Sequence, residues 1–314
     1  MARFSIWEAL GAGFGLIRRA PLSVVVWGVV FYGLSMLPTV LVFAVAGQDI
    51  YESYRTVLGS PGDIAAIERL NAVSMRTQWS FGLGILTSLL AVGLVYTAIY
   101  RAVLTPEDKG FFYMKLGAAE FWQALLFACL YILFIVLMIP FVIAGAVMVG
   151  VGIATAGNSD TAVLGAMGSL IWPMAIGMLV ALWLGVRLSL AGPATFADNT
   201  FRLFESWTMT RGHTLPLLGL AVLLGLMLFI GSLIFYAIVI GSAVAAVGAS
   251  GFDFEAIRSF FDRPYQQVLT ALTPWLIGSF VVSSIVCGAY LAIVLAPWAS
   301  VYKQLNARSQ VEEF

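Results

Sequence analysis

Charge is scarce in this chain: only 10% of its 314 residues are Asp, Glu, Lys or Arg, while 61% are hydrophobic. A soluble domain carries about 25% charged residues, so most of this sequence cannot face water. Sixteen basic residues are matched by sixteen acidic ones. Without a cationic excess there is no electrostatic footprint for nucleic acid, and none is expected as a partner. Histidine occurs once, as His213, and cysteine twice, as Cys129 and Cys287. Both thiols fall inside apolar runs, where they behave as small hydrophobes. They give neither a disulfide framework nor metal-ligand spacing, so no metal or other cofactor is expected, and His213 reads as a polar interfacial residue. No paired carboxylates or Cys–His arrangement is evident, which disfavours an enzyme. The glycines of Gly11-Ala12-Gly13-Phe14-Gly15 lack the spacing and preceding strand of a dinucleotide fingerprint and read as a packing surface.

Long apolar runs are present in abundance, and the mean hydropathy is +0.98. About 20 apolar residues are needed to span a bilayer as a helix. Six segments qualify, near 22–46, 79–104, 122–154, 165–192, 215–247 and 270–299. The expected fold class is therefore an all-α polytopic membrane protein, a single membrane domain over 1–314. The first run is longer than the 7–15 residues of a secretory h-region and reads as a retained anchor, although Ala44-Val45-Ala46 resembles a cleavage site. Pro38, Pro140 and Pro173 lie inside runs, where neighbouring helices satisfy the freed carbonyls.

Six spans put both termini on one side. Arg3, Arg18, Arg19, Arg101, Lys109, Lys115, Arg187, Arg202, Arg211, Lys303 and Arg308 fall on that side, and only Arg55, Arg69, Arg76, Arg258 and Arg263 on the other. By the positive-inside rule this bias predicts cytoplasmic termini, with a short cytoplasmic tail at 303–314.

The pattern also suggests repetition. Trp79, Trp172 and Trp275 stand near the outer ends of spans two, four and six, and Pro106, Pro193 and Pro297 come after them at intervals of 27, 21 and 22 residues. Trp7, Trp122 and Trp207, each near an acid (Glu8, Glu120, Glu205), precede the odd-numbered spans. The reading is three hairpins, 1–111, 112–200 and 201–302, each with an interfacial amphipathic helix ahead of its first span; aromatic belts alone would also place Trp at interfaces. Periodicity supports such helices over 4–19 and Phe201 to Met209, and on the outer face within 50–75, around a break at Ser60-Pro61-Gly62, and 254–261. The small residues Ala146, Gly150 and Gly152, and Gly241, Ala245 and Gly248, are expected at helix–helix contacts.

Charged residues at membrane depth carry a functional hypothesis by default. Arg101 and Arg187 end spans two and four, five and six residues before Pro106 and Pro193, and Glu120 and Glu205 begin the next segments of chain. With Arg211 these residues form a candidate site for an anionic headgroup, since guanidinium binds phosphate through charge-assisted, bidentate bonds. The competing reading has both arginines snorkelling to lipid phosphate or satisfying the carbonyls at their own helix ends.

Arg187, Pro193, Phe204-Glu205-Ser206-Trp207 and Thr210-Arg211-Gly212, with an apolar span directly after them, give the chain a resemblance. It resembles the membrane domain found beside some bacterial glycerophosphodiester phosphodiesterases, and related uncharacterised six-helix inner-membrane families. The motif covers about 30 residues. The catalytic barrel of those enzymes, with its histidines and carboxylate cluster, has no counterpart here, so the resemblance implies a stand-alone membrane module and lends no catalytic residue. Two principal functions are expected. One is a non-catalytic protein that handles or transports a lipid or amphipathic small molecule, with membrane lipids as partners. The other is a scaffold for a membrane-protein partner or a second copy of itself; an intramembrane enzyme is the third and least favoured.

Overall fold

The computed structural model describes residues 4–59, 64–156, 168–248 and 253–312. Ser60-Pro61-Gly62, Arg3, Asp160 and the expected start of the fourth run at 165–167 lie outside them. Eleven helices are seen among the described residues: α1 (Ile6–Arg19), α2 (Pro21–Gly59), α3 (Ile64–Arg76), α4 (Trp79–Leu104), α5 (Ala118–Ala156), α6 (Ile171–Leu188), α7 (Ala191–Asp198), α8 (Glu205–Met209), α9 (Thr214–Ala246), α10 (Phe254–Phe261) and α11 (Tyr265–Glu312). No strand occurs among them. Among the described residues six helical segments are long and apolar enough to cross a membrane, and the chain is an all-α multi-pass membrane protein. The apolar residues cover every side of these spans, as expected where lipid rather than water is the surrounding solvent.

The chain divides into two compact units, one of Leu10–Lys115 and Leu223–Pro297, the other of Met1–Ala9, Leu116–Val222 and Trp298–Phe314. In the first, α2 packs along α4 and against α3. In the same unit α2 also comes close to α11. A Cβ added to Gly28 would stand 1.9 Å from the Ser284 carbonyl oxygen, and one added to Gly288 would stand 2.0 Å from that of Val24. Only glycine at both positions lets the two backbones touch, the device by which membrane helices gain dispersion energy. Gly13 of α1 makes a similar contact, 2.8 Å from added Cβ to the Ile293 Cα. The expected small-residue contacts are not these. Gly150 and Gly241 face open space, and Gly248 ends a turn at φ +78°. Glycines are frequent throughout membrane helices, and spacing along one helix does not tell which face meets a neighbour.

Polar ties complete this unit. The Tyr290 hydroxyl donates to the Leu228 carbonyl over 2.5 Å, and the Trp275 indole N–H donates to Ser242 Oγ over 3.0 Å, joining α9 to α11. Tyr51 of α2 reaches the carbonyls of Phe261 and Arg263 at 2.6 and 2.9 Å. Helix α10 starts where Asp253 accepts hydrogen bonds from the amides of Glu255 and Ala256, an N-cap that satisfies orphan donors.

In the second unit α5 packs on α6 and α7. Leu126, Leu188, Ala191 and Leu203 form its apolar centre, with Leu130, Leu133, Leu184 and Phe201 around them. Asn199, at φ 50°, ends α7 in the left-handed conformation that Asn tolerates, and turns the chain toward α8.

Several boundaries differ from the sequence reading. Helix α2 runs on to Gly59, so the first half of the 50–75 segment continues the span and only Ile64–Arg76 forms a separate helix. The helical part of Phe201 to Met209 is confined to Glu205–Met209, because the chain is still turning at Asn199 and Arg202. No separate helix precedes the third span, since α5 is continuous from Ala118. The prolines also differ in role: Pro106 lies beyond α4, Pro193 within the short α7, and Pro297 inside α11, which continues to Glu312 through the expected tail. A proline mid-helix frees only the carbonyl four residues earlier, here Ile293, and need not end the helix.

Candidate functional site

The two span-ending arginines sit in separate units and in different surroundings. Arg101, in the last turn of α4, is 5% exposed. Its Nη1 donates to the Tyr113 carbonyl, and its Nε lies 3.6 Å from the Asp108 carboxylate. The loop it holds is tightly folded, with Gly110, Phe112 and Tyr113 at φ 40°, 52° and 63°. Such conformations are costly for residues with a Cβ and persist only where the surroundings fix them. Here the fixing groups are Arg101 and Trp27, whose buried indole N–H donates to the Phe112 carbonyl over 2.8 Å. Lys115 also binds Asp108, and its hydrogen bond is the foremost reason that the Asp108 carboxyl ionises below the usual carboxylate range, with the charges of Lys115 and Arg101 adding to it.

Arg187, in the last turn of α6, is built differently. Trp183 lies one turn earlier on the same helix, and Trp207 comes from α8. The guanidinium carbon is 5.9 Å from the Trp183 ring centroid and 5.1 Å from that of Trp207, and the two rings meet edge to face at 5.3 Å. Cation–π attraction of this kind contributes about 0.5–2 kcal/mol per contact, depending on desolvation. It does not satisfy the N–H donors. Nε and Nη1 of Arg187 are buried and have no hydrogen-bond acceptor among the described residues.

The position of Trp207 is set by its neighbours. Ser206 and Thr210 flank it at the start and end of α8, are both wholly buried, and donate their hydroxyls to the Arg187 carbonyl at 2.9 and 3.2 Å. Ser206 Oγ in turn accepts the Leu190 amide at 3.2 Å. The end of α6 would otherwise leave carbonyls without partners. Satisfying one from α8 locks that helix in place and sets the Trp207 ring over the guanidinium.

The remaining candidates have other surroundings. Glu205 pairs with Arg202, Oε1 to Nη1 3.8 Å, and Arg202 also meets Asp198 at 2.7 Å, so these three form their own cluster about a half-buried arginine. Arg211 is exposed beyond α8. Glu120 is buried in the first turn of α5, with its Oε2 3.4 Å from where a Cβ on Gly117 would stand. An acid in that turn is favoured by the helix dipole. Arg101 belongs to the other unit and serves its own loop. His213 lies between α8 and α9 with its ring 6.4 Å from that of Phe4.

Trp183 escapes the sequence reading, and Ser206 and Thr210 enter it only within the motif that carries the resemblance, with no role of their own. The available signal is spacing: Trp183 and Arg187 are four apart on one helix, as are Ser206 and Thr210 around Trp207, and such pairs share a face. No protein-family model matches the chain, and neither a curated protein nor a solved structure is found that matches it.

Proposed function

We propose that this protein is a non-catalytic membrane module that holds an anionic amphiphile, a phospholipid by preference, with its phosphate against Arg187. The observation that carries this reading is the half-buried guanidinium between Trp183 and Trp207, whose buried N–H donors have no acceptor among the described residues. Supplying an acceptor to such a donor is worth about 1–3 kcal/mol. Phosphate is the anion that a bilayer offers at helix ends, and its oxygens match the guanidinium fork. The indoles of Trp183 and Trp207, 47% and 37% exposed, are the walls through which a headgroup reaches the arginine. Arg211, exposed just beyond α8, adds positive charge in the same segment of chain.

In this reading both termini are cytoplasmic in a bacterial inner membrane, supported by the eleven-to-five bias of basic residues. The resemblance to the membrane domain beside bacterial glycerophosphodiester phosphodiesterases fits a membrane module of the same kind. The test is native mass spectrometry of the full chain extracted in mild detergent and mixed with dioleoyl phosphatidylglycerol or dioleoyl phosphatidylcholine. The expected result is a bound phospholipid that Arg187→Gln loses, with membrane insertion intact. Equal retention by the variant overturns the reading; a stable protein partner with no lipid favours the scaffold.

A further inference from the structure

We propose that a groove between the start of α2 and the loop at Lys109–Tyr113 is a separate binding site for a phosphate group. Both walls belong to the unit of Leu10–Lys115 and Leu223–Pro297, and the groove encloses about 430 Å³. One wall is the start of α2, where the Val24 amide takes the Ala20 carbonyl at 3.1 Å. Pro21 has no N–H, so the amides of Leu22 and Ser23 are those that the helix leaves without a partner in its own turn. The aligned peptide dipoles of this 39-residue helix place their positive end there. The other wall is the loop that Arg101 and Trp27 hold in shape.

Ser23 is the independent sign of a ligand. It is 8% exposed and lines the groove, and its hydroxyl has no hydrogen-bond partner among the described residues. Ser35, Ser74 and Ser259 return their hydroxyls to a carbonyl three or four residues back, whereas Ser23, like Ser284, does not. The Ser23 hydroxyl is left to donate into the groove, beside the unpartnered amides.

The charges agree in sign. Arg19 and Lys109 stand exposed on the rim and have no carboxylate partner among the described residues. The adjacent acid, Asp108, is already engaged by Arg101 and Lys115. An anion entering the groove would therefore meet two cations, two backbone amides and a hydroxyl. Leu22 and Phe111, 72% and 70% exposed on the same rim, offer apolar surface beside that polar pocket. This chemistry suits a phosphate ester whose remainder is apolar, and free phosphate presents the same oxygens.

The experiment works in an Arg187→Gln background, so that it does not depend on the other site. One arm titrates the full chain in detergent with inorganic phosphate by calorimetry. The other counts bound dioleoyl phosphatidylglycerol by native mass spectrometry. Arg19→Gln and Lys109→Gln, both on exposed side chains, should each weaken binding by about tenfold, the loss of one charge-assisted contact. Ser23→Ala should weaken it less, without lowering thermal stability. Loss confined to the lipid arm assigns the groove to a headgroup, and loss in the phosphate arm to a free phosphate group. Unchanged binding in both arms for the Arg19→Gln, Lys109→Gln double variant overturns the proposal, as does failure of the parent to bind either probe.

Discussion

Arg101 and Arg187 occupy the same place in the sequence pattern, in the last turn of an apolar span a few residues before a proline, yet the fold uses them in opposite ways. Arg101 turns inward and spends its donors on its own chain, the Tyr113 carbonyl and the Asp108 carboxylate. Arg187 lies between two indole faces, which attract its charge but accept no classical hydrogen bond. The difference originates in the chain immediately beyond each span. After α4 comes a loop with free carbonyls and an acid; after α6 come two short helices, of which the second brings hydroxyls that cap the α6 backbone and a tryptophan that covers the side chain. The donors of a span-ending arginine are thus satisfied or left open according to the acceptors its own chain supplies.

Substitutions should break this contrast with effects of decreasing size. Gly28→Leu should be the most severe, because the added side chain meets the Ser284 backbone, which cannot move aside as a flexible side chain can. Overpacking alone costs about 1–3 kcal/mol, and backbone collision more, so size-exclusion chromatography should show loss of the monodisperse species. Arg101→Gln should destabilise by about 2–3 kcal/mol, since it strands the Tyr113 carbonyl and weakens the loop, with a lower Tm in detergent. A Tm equal to the parent's would remove Arg101 from its structural role. Ser206→Ala with Thr210→Val should cost about 1–2 kcal/mol by uncapping α6, and because Trp207 then loses its anchor, phospholipid retention should fall with it.

How much of this can be read from the sequence depends on which interactions are local. The span at 79–104 coincides with α4, because an unbroken apolar run flanked by polar residues suffices to define a membrane helix. The short helix at 254–261 is legible for a similar reason, its aromatic spacing being local. The segment from Phe201 misleads because a three-residue aromatic step fits a helix and a turn equally, and the turn is fixed by Thr195, whose Oγ1 accepts the Arg202 amide at 3.1 Å. Position alone singles out Arg187 and Arg101. The groups that separate them, the Trp207 face on one side and the Tyr113 carbonyl on the other, come from chain 20 and 12 residues away, and spacing within one helix carries no trace of them.

The smallest expected effect concerns acid. The Asp108 carboxyl is held below its ordinary range, first by the Lys115 hydrogen bond, so its ionised form stabilises the fold above the unfolded value and the contribution fades as pH falls through the folded one. The parent should therefore lose part of its thermal advantage over Asp108→Asn between about pH 6 and about pH 3. A pH-independent difference would show that Asp108 does not support the loop through its charge.

The central claim, that one of these arginines holds a phosphate-bearing headgroup and the other holds only protein, is tested most directly by phospholipid counts after detergent exchange for Arg187→Gln and Arg101→Gln side by side, each made on an Arg19→Gln, Lys109→Gln parent in which the groove is disabled. The account predicts that Arg187→Gln loses phospholipid and lowers Tm by no more than its two indole contacts account for, while Arg101→Gln lowers Tm and leaves the count per folded chain unchanged. Equal phospholipid counts in Arg187→Gln and the parent, or a loss confined to Arg101→Gln, would contradict it.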